Sequence, residues 1–437
     1  MSRIIESSEY NIDNTGKTLE TGKLQSLIDR ASKEQATLHL SGGIYLTAAL
    51  FLKSNMQLVM DEDTVLLGTT DESQYDLVDT RIAGIEMQWY PGVLNIYNQE
   101  NVTVTGGSID GQGPYWWAKY WGVDMKGGMR KDYDSKGIRW ACDYDCLRVR
   151  NMSVQNSSNV IIRNLTSRNS GFWNIHICYS HDVLVDGARI TGNGMESPST
   201  DGIDIDSCHD VTVRNCITNC NDDSICIKSG RDADGMRVGR ECHDILVEDC
   251  EIRAGFGVTI GSEVSGGVRN IHIRNMNYSG TDCGFRIKSS RVRHGYIQNV
   301  LVENLTMMNV KYPIHMNLDW NPEYSVCTLP EGYEGEINNR WKSLLIPDDT
   351  SVPKTQLKDI VIQNVKTEMT DDYEGISRAF DIVGYEDEPI NGICLENASM
   401  HCKEYGRIAC VKNLSMNQVN IDAVMSYDEK NDEYDNR

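Results

Sequence analysis

The chain of 437 residues is 40% hydrophobic and 24% charged, a balance that supplies a large core and excludes a disordered tail protein. Its 42 Lys and Arg stand against 64 Asp and Glu, for a formal charge of −22. That excess repels nucleic acid and anionic membranes at long range, so neither is expected as a partner, and an anionic ligand would have to meet a local basic cluster.

The opening residues, Met1 to Tyr10, show no basic segment followed by an apolar core, and no stretch approaches about 18 uninterrupted apolar residues. The expectation is a soluble, cytoplasmic protein. Leu24, Leu27, Ile28 and Ala31 keep helical spacing behind Thr21, which reads as the N-cap of a helix over about 21–34.

From residue 101 onward one unit recurs: a polar residue, apolar-x-apolar, then an Asn-type turn. It appears as Asn101-Val-Thr-Val104, Asn159-Val-Ile-Ile-Arg-Asn164, Asp182-Val-Leu-Val-Asp-Gly187, Asp210-Val-Thr-Val-Arg-Asn215, Asp244-Ile-Leu-Val-Glu-Asp249, Asn270-Ile-His-Ile-Arg-Asn275, Asn299-Val-Leu-Val-Glu-Asn304 and Asp359-Ile-Val-Ile-Gln-Asn364. The first apolar positions, 160, 183, 211, 245, 271 and 300, are 23, 28, 34, 26 and 29 residues apart. Alternating β-branched residues in units of this length predict a right-handed parallel β-helix, all-β, with the early helix capping its open end. Gly and Asn suit the corners because they accept a left-handed backbone. Leu165, Ala188, Cys216, Cys250, Met276, Leu305 and Val365, just after the turns, form an apolar column pointing inward.

Fourteen dispersed cysteines do not describe a disulfide scaffold. The pairs Cys142/Cys146 and Cys216/Cys220 invite a zinc reading, but Cys216 and Cys250 are more simply small core residues. Insertions near 114–140 and 313–357 break the repeat, and such insertions usually shape a binding face. The domain prediction is one solenoid over 1–425 and an acidic, disordered tail over 426–437.

Four islands fall in successive coils: Ser199-Thr-Asp-Gly-Ile-Asp204, Asn221-Asp-Asp-Ser224, Gly255-Phe-Gly257 and Arg286-Ile-Lys288. With Asp201, Asp222, Phe256 and Arg286 as markers, the steps are 21, 34 and 30 residues, about one turn each. Residues one turn apart stack on one wall, roughly 4.8 Å per layer. Asp201, Asp222 and Asp223 then share a groove with Arg286 and Lys288. Glycosidic hydrolysis needs such a set, one carboxyl to protonate the leaving oxygen and another to activate water. Crowded carboxylates raise the pKa of at least one. Isolated corner aspartates would merely cap amides or sit in water; their alignment with two cations argues for catalysis.

At these residues the chain resembles glycoside hydrolase family 28, the polygalacturonases, whose signatures are Asn-Thr-Asp, Asp-Asp, Gly-His-Gly and Arg-Ile-Lys. The resemblance runs from about 35 to 310 and includes Ile44-Tyr-Leu-Thr-Ala-Ala-Leu-Phe-Leu-Lys-Ser-Asn55, Asp110-Gly-Gln-Gly113, Asn169-Ser-Gly-Phe-Trp-Asn-Ile-His176 and Gly261-Ser-Glu-Val-Ser-Gly-Gly-Val-Arg-Asn270. It implies an inverting hydrolase with Asp222 as general acid, Asp201 and Asp223 handling the attacking water, and Arg286 and Lys288 gripping a uronate carboxylate. No metal or organic cofactor is called for.

Two departures are present. Ser199 replaces the first Asn, and Phe256 stands where the polygalacturonase pattern has His, a feature shared with rhamnogalacturonan hydrolases. Phe256 therefore reads either as a platform for the apolar face of a sugar or as filler of the groove wall. His176 is a candidate substrate ligand or a satisfied corner residue. Trp320, Tyr312 and Tyr324 are groove candidates; Trp116, Trp117, Tyr120, Trp121 and Trp140 read first as packing for the early insertion. Two bulky insertions would block one groove end, which favours exo-cleavage of pectic oligosaccharides. An α-L-rhamnosidase or rhamnogalacturonan hydrolase, a calcium-dependent lyase and a non-catalytic carbohydrate-binding β-helix remain as alternatives.

Overall fold

In a computed structural model, which describes residues 3–425, the chain winds into a right-handed parallel β-helix. Thirty strands form one continuous sheet that wraps around the axis, and its pairings are parallel from coil to coil. The repeat is the register. Val102 pairs with Val160, Val160 with Val183, Val183 with Val211, Val211 with Ile245, Ile245 with Ile271, Ile271 with Val300 and Val300 with Ile360. Each apolar-x-apolar unit places its two apolar residues inward and the residue between them on the surface, as period-two alternation requires. The column after the turns is buried throughout, Cys216 and Cys250 included, so the core reading of both cysteines holds. Among the described residues every cysteine is a free thiol.

The corners are held by side-chain ladders. Asn164, Asn215, Asp249, Asn275, Asn304 and Asn364 all have positive φ, between 51° and 59°. Their amides bond from coil to coil: Asn215 to Asp186 at 2.8 Å, Asn275 to Asp249 at 3.0 Å, Asn304 to Asn275 and Asn364 to Asn304 at 2.9 Å. Asn and Asp serve here because a short polar side chain tolerates the left-handed region and satisfies its neighbour in the next layer.

The capping helix spans Thr21–Lys33 and buries Leu24, Leu27, Ile28 and Ala31 against the first coil. Its N-cap is Glu20 rather than Thr21; the Thr21 hydroxyl instead accepts a bond from the Ala48 amide at 2.8 Å, tying the helix to the sheet. Among the described residues no helix is long and apolar enough to cross a membrane. The predicted tail, 426–437, lies outside the described residues.

Three excursions leave the solenoid on one side. The first, not anticipated from sequence, is an antiparallel hairpin, Val78–Ile82 with Ile85–Trp89. The second carries the helices Gly113–Trp121, Gly128–Ser135 and Arg139–Asp145. The third runs over 318–355, between the strands Tyr312–Asn317 and Gln356–Glu368. They lock together. The Trp140 indole donates to the Thr328 carbonyl at 3.0 Å and its ring lies 5.5 Å from Trp341, while Tyr144 donates to the Ala83 carbonyl at 3.1 Å. Trp116 and Trp117 donate to the Gly111 and Ser170 carbonyls, which makes both of them structural.

Candidate active site

The site is built on four stacked strands, Ile203–Asp206, Ile225–Lys228, Val258–Ile260 and Cys283–Lys288, in the register Ile203, Ile225, Val258, Phe285. Those positions and Ile205, Ile227, Ile260 and Ile287 fill the core. Alternation turns the intervening residues outward, which is why Arg286 and Lys288 emerge on the same wall. Asp201 and Asp223 each precede the first inward isoleucine of their strand by two residues, so Asp223, rather than Asp222, is the layer-mate of Asp201. The Gly202 amide donates to the Asp223 carbonyl at 2.9 Å across that step.

Asp201, Asp222, Asp223, Phe256, Arg286, Lys288 and Trp320, seven of the nine residues singled out from sequence, line one cavity of about 100 Å³. Tyr324 lines it too. The three aspartates each place an oxygen within 4.8 Å of the others. His176 and Tyr312 lie elsewhere. His176 is fully buried, its Nδ1 2.7 Å from Arg150 and its Nε2 3.7 Å from Asp206, and burial lowers its pKa to about 4. The unforeseen hairpin explains this: Arg81 reaches down to Asp206 at 3.0 Å and Thr80 accepts from Arg150 at 3.3 Å, covering the imidazole. Tyr312 packs by His315, 5.5 Å between rings. Conversely, Trp173, Lys228, Glu263 and Arg139 line the cavity and were not picked out from sequence.

The carboxyls are not equivalent. Burial, reinforced by the charges of Asp201 and Asp223, lifts Asp222 to about 7. Burial also works against the charge of Asp223, but Lys288 and Arg286 outweigh it and bring its pKa down to about 2. Lys288 Nζ is 2.7 Å from Asp223 Oδ2, and Thr259 donates to Oδ1 at 2.6 Å, with Arg286 3.4 Å from the same oxygen. Burial raises Asp201 as well, against the pull of Lys228. At neutral pH the cavity thus pairs a proton-bearing Asp222 with an ionised, fully coordinated Asp223, the division of labour that acid-assisted hydrolysis needs. The carboxyls cluster closely enough to hold an ion, but lysines and an arginine already neutralise two of them.

Phe256 and Trp320 act on the cations. The Arg286 guanidinium lies 4.5 Å from the centre of the Phe256 ring and 5.7 Å from that of Trp320, and Lys288 Nζ sits 4.3 Å from the Trp320 ring. Aromatic faces over cations hold them in place without neutralising them. Phe256, then, is part of the wall that fixes Arg286.

Comparison with known proteins agrees with this geometry. The family model described as "Glycosyl hydrolases family 28" matches residues 79–333, more than half of the chain. This protein belongs to glycosyl hydrolases family 28. It is therefore a glycoside hydrolase of the polygalacturonase family. It is 27% identical over 399 residues to a probable polygalacturonase of Vitis vinifera, covering 88% of this chain and 72% of that one. An endo-polygalacturonase of Pectobacterium carotovorum subsp. carotovorum is 27% identical over 365 residues, 79% of each chain. The solved structure of a hyperthermoactive exopolygalacturonase from Thermotoga maritima superposes with a TM-score of 0.75 at 26% identity, covering 95% of this chain and 92% of that one. Membership in a hydrolase family removes the lyase and the non-catalytic solenoid as readings of this site.

Proposed function

We propose that this family 28 hydrolase removes single galacturonate residues from the ends of short pectic oligosaccharides, with inversion at the anomeric carbon. The observation that carries the reading is the small size of the cavity: its chemistry comes from the coils, Ala83, Arg139, Asn321 and Tyr324 from the three excursions complete its lining, and its volume is about 100 Å³. Drug-sized ligand clefts usually run about 300–1,000 Å³, so this space suits one sugar unit rather than a threaded polymer. Arg286 and Lys288 on its walls suit a uronate better than a neutral rhamnose.

In the proposed reaction the Asp222 carboxyl gives its proton to the glycosidic oxygen as the bond to the anomeric carbon breaks. A water loses a proton to Asp201 and its oxygen bonds to that carbon; Asp223, held by Lys288 and Thr259, orients the water. The carboxyls lie closer together than the roughly 6.5–9.5 Å usual for inverting pairs. Inversion is favoured nonetheless because Asp223 and Asp201 are tied to ammonium groups and so poorly placed to attack carbon themselves.

Incubation with galacturonate oligomers and, separately, rhamnogalacturonan oligomers tests the reading. Free galacturonate is expected from the first set from the earliest time points, each oligomer shortening one unit at a time, and proton NMR of the first-formed anomer should show the inverted configuration. Rhamnose release, or no galacturonate from either substrate, overturns it.

A further inference from the structure

Lys228 is a cation of the cavity that the family signatures do not contain. Its ammonium group is 3.1 Å from Asp201 Oδ2 and 2.7 Å from Asp204 Oδ1, and it lies 4.1 Å from the centre of the Trp173 ring. All three charged side chains are at most 5% exposed. Asp204 does not line the cavity; it stands behind Asp201, with oxygens of the two carboxyls within 4.8 Å of one another. Two carboxylates and one ammonium, almost wholly buried, carry one negative charge too many, and the simplest relief is one proton kept between the carboxyls.

We propose that Lys228 and Asp204 are positioning residues for Asp201: protonated Asp204 and the Lys228 ammonium both donate to it, so Asp201 alone stays ionised with a lone pair left for the attacking water. This deepens the reading of Asp201 as the water-activating base and rests on it. Burial holds Asp204 well above the ordinary carboxylate range, while Asp201 and Asp204 together keep Lys228 charged against the cost of burial. The other charges around the trio are accounted for. Asp206 is paired with Arg81 at 3.0 Å, Glu263 faces Arg293 at 3.8 Å, Asp223 is held by Lys288 and Arg286, and His176 is neutral near pH 7 because burial takes it to about 4. Asp222 and the buried Cys226 thiol complete the surroundings. Lys228 is therefore the one cation within salt-bridge distance of Asp201 among the described residues.

The proton balance is closed. In turnover the water proton moves to Asp201, Asp222 has given its own to the leaving oxygen, and one proton returns from Asp201 to Asp222 through water once product leaves; Asp204 keeps its proton throughout.

The test reads the pH dependence of kcat/KM with galacturonate oligomers. Losing a cation within about 4–6 Å raises a carboxyl pKa by about 1–3 units. Lys228→Met should move the acidic limb upward by that amount and leave the basic limb of Asp222, near 7, in place, so the active pH window narrows from below. Lys228→Arg keeps the charge and should keep the limb. Asp204→Asn keeps a donor and a neutral group and should leave the limb unmoved, while Asp204→Leu, without a donor, should raise it. Carboxyl ¹³C NMR of the free protein, with the Asp201 signal assigned through Asp201→Asn, follows the same titration without any substrate, so failure of the trio is distinguishable from a wrong sugar. An Asp201 titration identical in parent and Lys228→Met, or a limb unmoved while kcat falls equally at every pH, overturns the proposal. If Lys228→Met does not fold, the Asp204 pair decides it: equal limbs in Asp204→Asn and Asp204→Leu sink the idea.

Discussion

The coils and the excursions contribute to the cavity in different ways. Asp201, Asp222, Asp223, Lys228, Arg286 and Lys288 stand on, or within three residues of, strands whose register is fixed by buried apolar residues a layer apart. Ala83, Arg139, Asn321 and Tyr324 stand on the excursions, which lean on one another, as Trp140 does on Thr328 and Arg139 on the Tyr324 ring at 5.0 Å, and reach the coils through side-chain contacts such as Arg231 to the Tyr324 carbonyl at 2.8 Å. A register that fails in one layer disrupts every layer beyond it, whereas an excursion can change without disturbing the sheet. The coils thus supply the chemistry, and the excursions set how much of a polymer can reach it.

The largest effect should come from the coil side. Asp222→Asn removes the proton donor and should lower kcat by about 10² to 10⁴ with KM little changed. The same substitution should stabilise the fold. A carboxyl whose pKa rises from 3.8 to about 7 on folding costs stability at every pH above 3.8, in full once pH exceeds 7. Asp222→Asn should therefore melt at a higher temperature than the parent at pH 8 and at the same temperature at pH 3. In the parent, activity should fall as pH rises through about 7, since only protonated Asp222 serves as acid.

Arg286→Lys comes next. It keeps the charge but gives up the planar face stacked between Phe256 and Trp320 and a charge-assisted bond worth about 1.5–3 kcal/mol, equivalent to roughly 10- to 150-fold in kcat/KM. A neutral substrate would show no such dependence, so comparing uronate and methyl-esterified oligomers sharpens the assignment. On the excursion side, Trp140→Ala cuts a bond and a ring contact joining two excursions, yet touches no strand of the site. Its kcat on the shortest oligomer should stay within about threefold, while products of two and three sugars should appear from long chains. Unchanged monomer release would mean that the excursions do not set the cutting mode.

The same contrast explains what could be read in advance. The coils were legible because an inward residue every second position and an Asn at each corner are local demands that recur, and every apolar position from Val160 to Val300 pairs as its spacing implied. Lys228 was readable by the same rule, since alternation after Ile225 and Ile227 turns Cys226 and Lys228 outward beside Asp223. It was passed over because it belongs to no signature. His176 also faces outward by alternation, and the hairpin contacts of Arg81 and Thr80, which join residues far apart in sequence, cover it together with the Trp173 ring 4.8 Å away. Tyr312 fails for a related reason: it opens the strand before the third excursion, and only the later Trp320 and Tyr324 turn back over the cavity.

The smallest effect on activity should come from the corners. Asn275 combines a φ of 55° with bonds to Asp249 and Asn304, and it does not line the cavity. Asn275→Ala loses both ladder bonds and places a Cβ-bearing residue without a compensating polar group in the left-handed region, at a cost of about 2–4 kcal/mol. Asn275→Gly loses the same two bonds but removes the backbone penalty, so it should recover about 1–2 kcal/mol of that loss. In denaturant titrations the difference between the two variants measures the corner's backbone strain, and the Gly variant against the parent measures the ladder. Both should keep kcat within about twofold, because a weakened corner shifts the unfolding equilibrium before it moves a registered strand. A large loss of kcat in Asn275→Gly, with the fold still intact, would mean that the site depends on the far corner of its coil and that coils and excursions are less separable than their contacts imply.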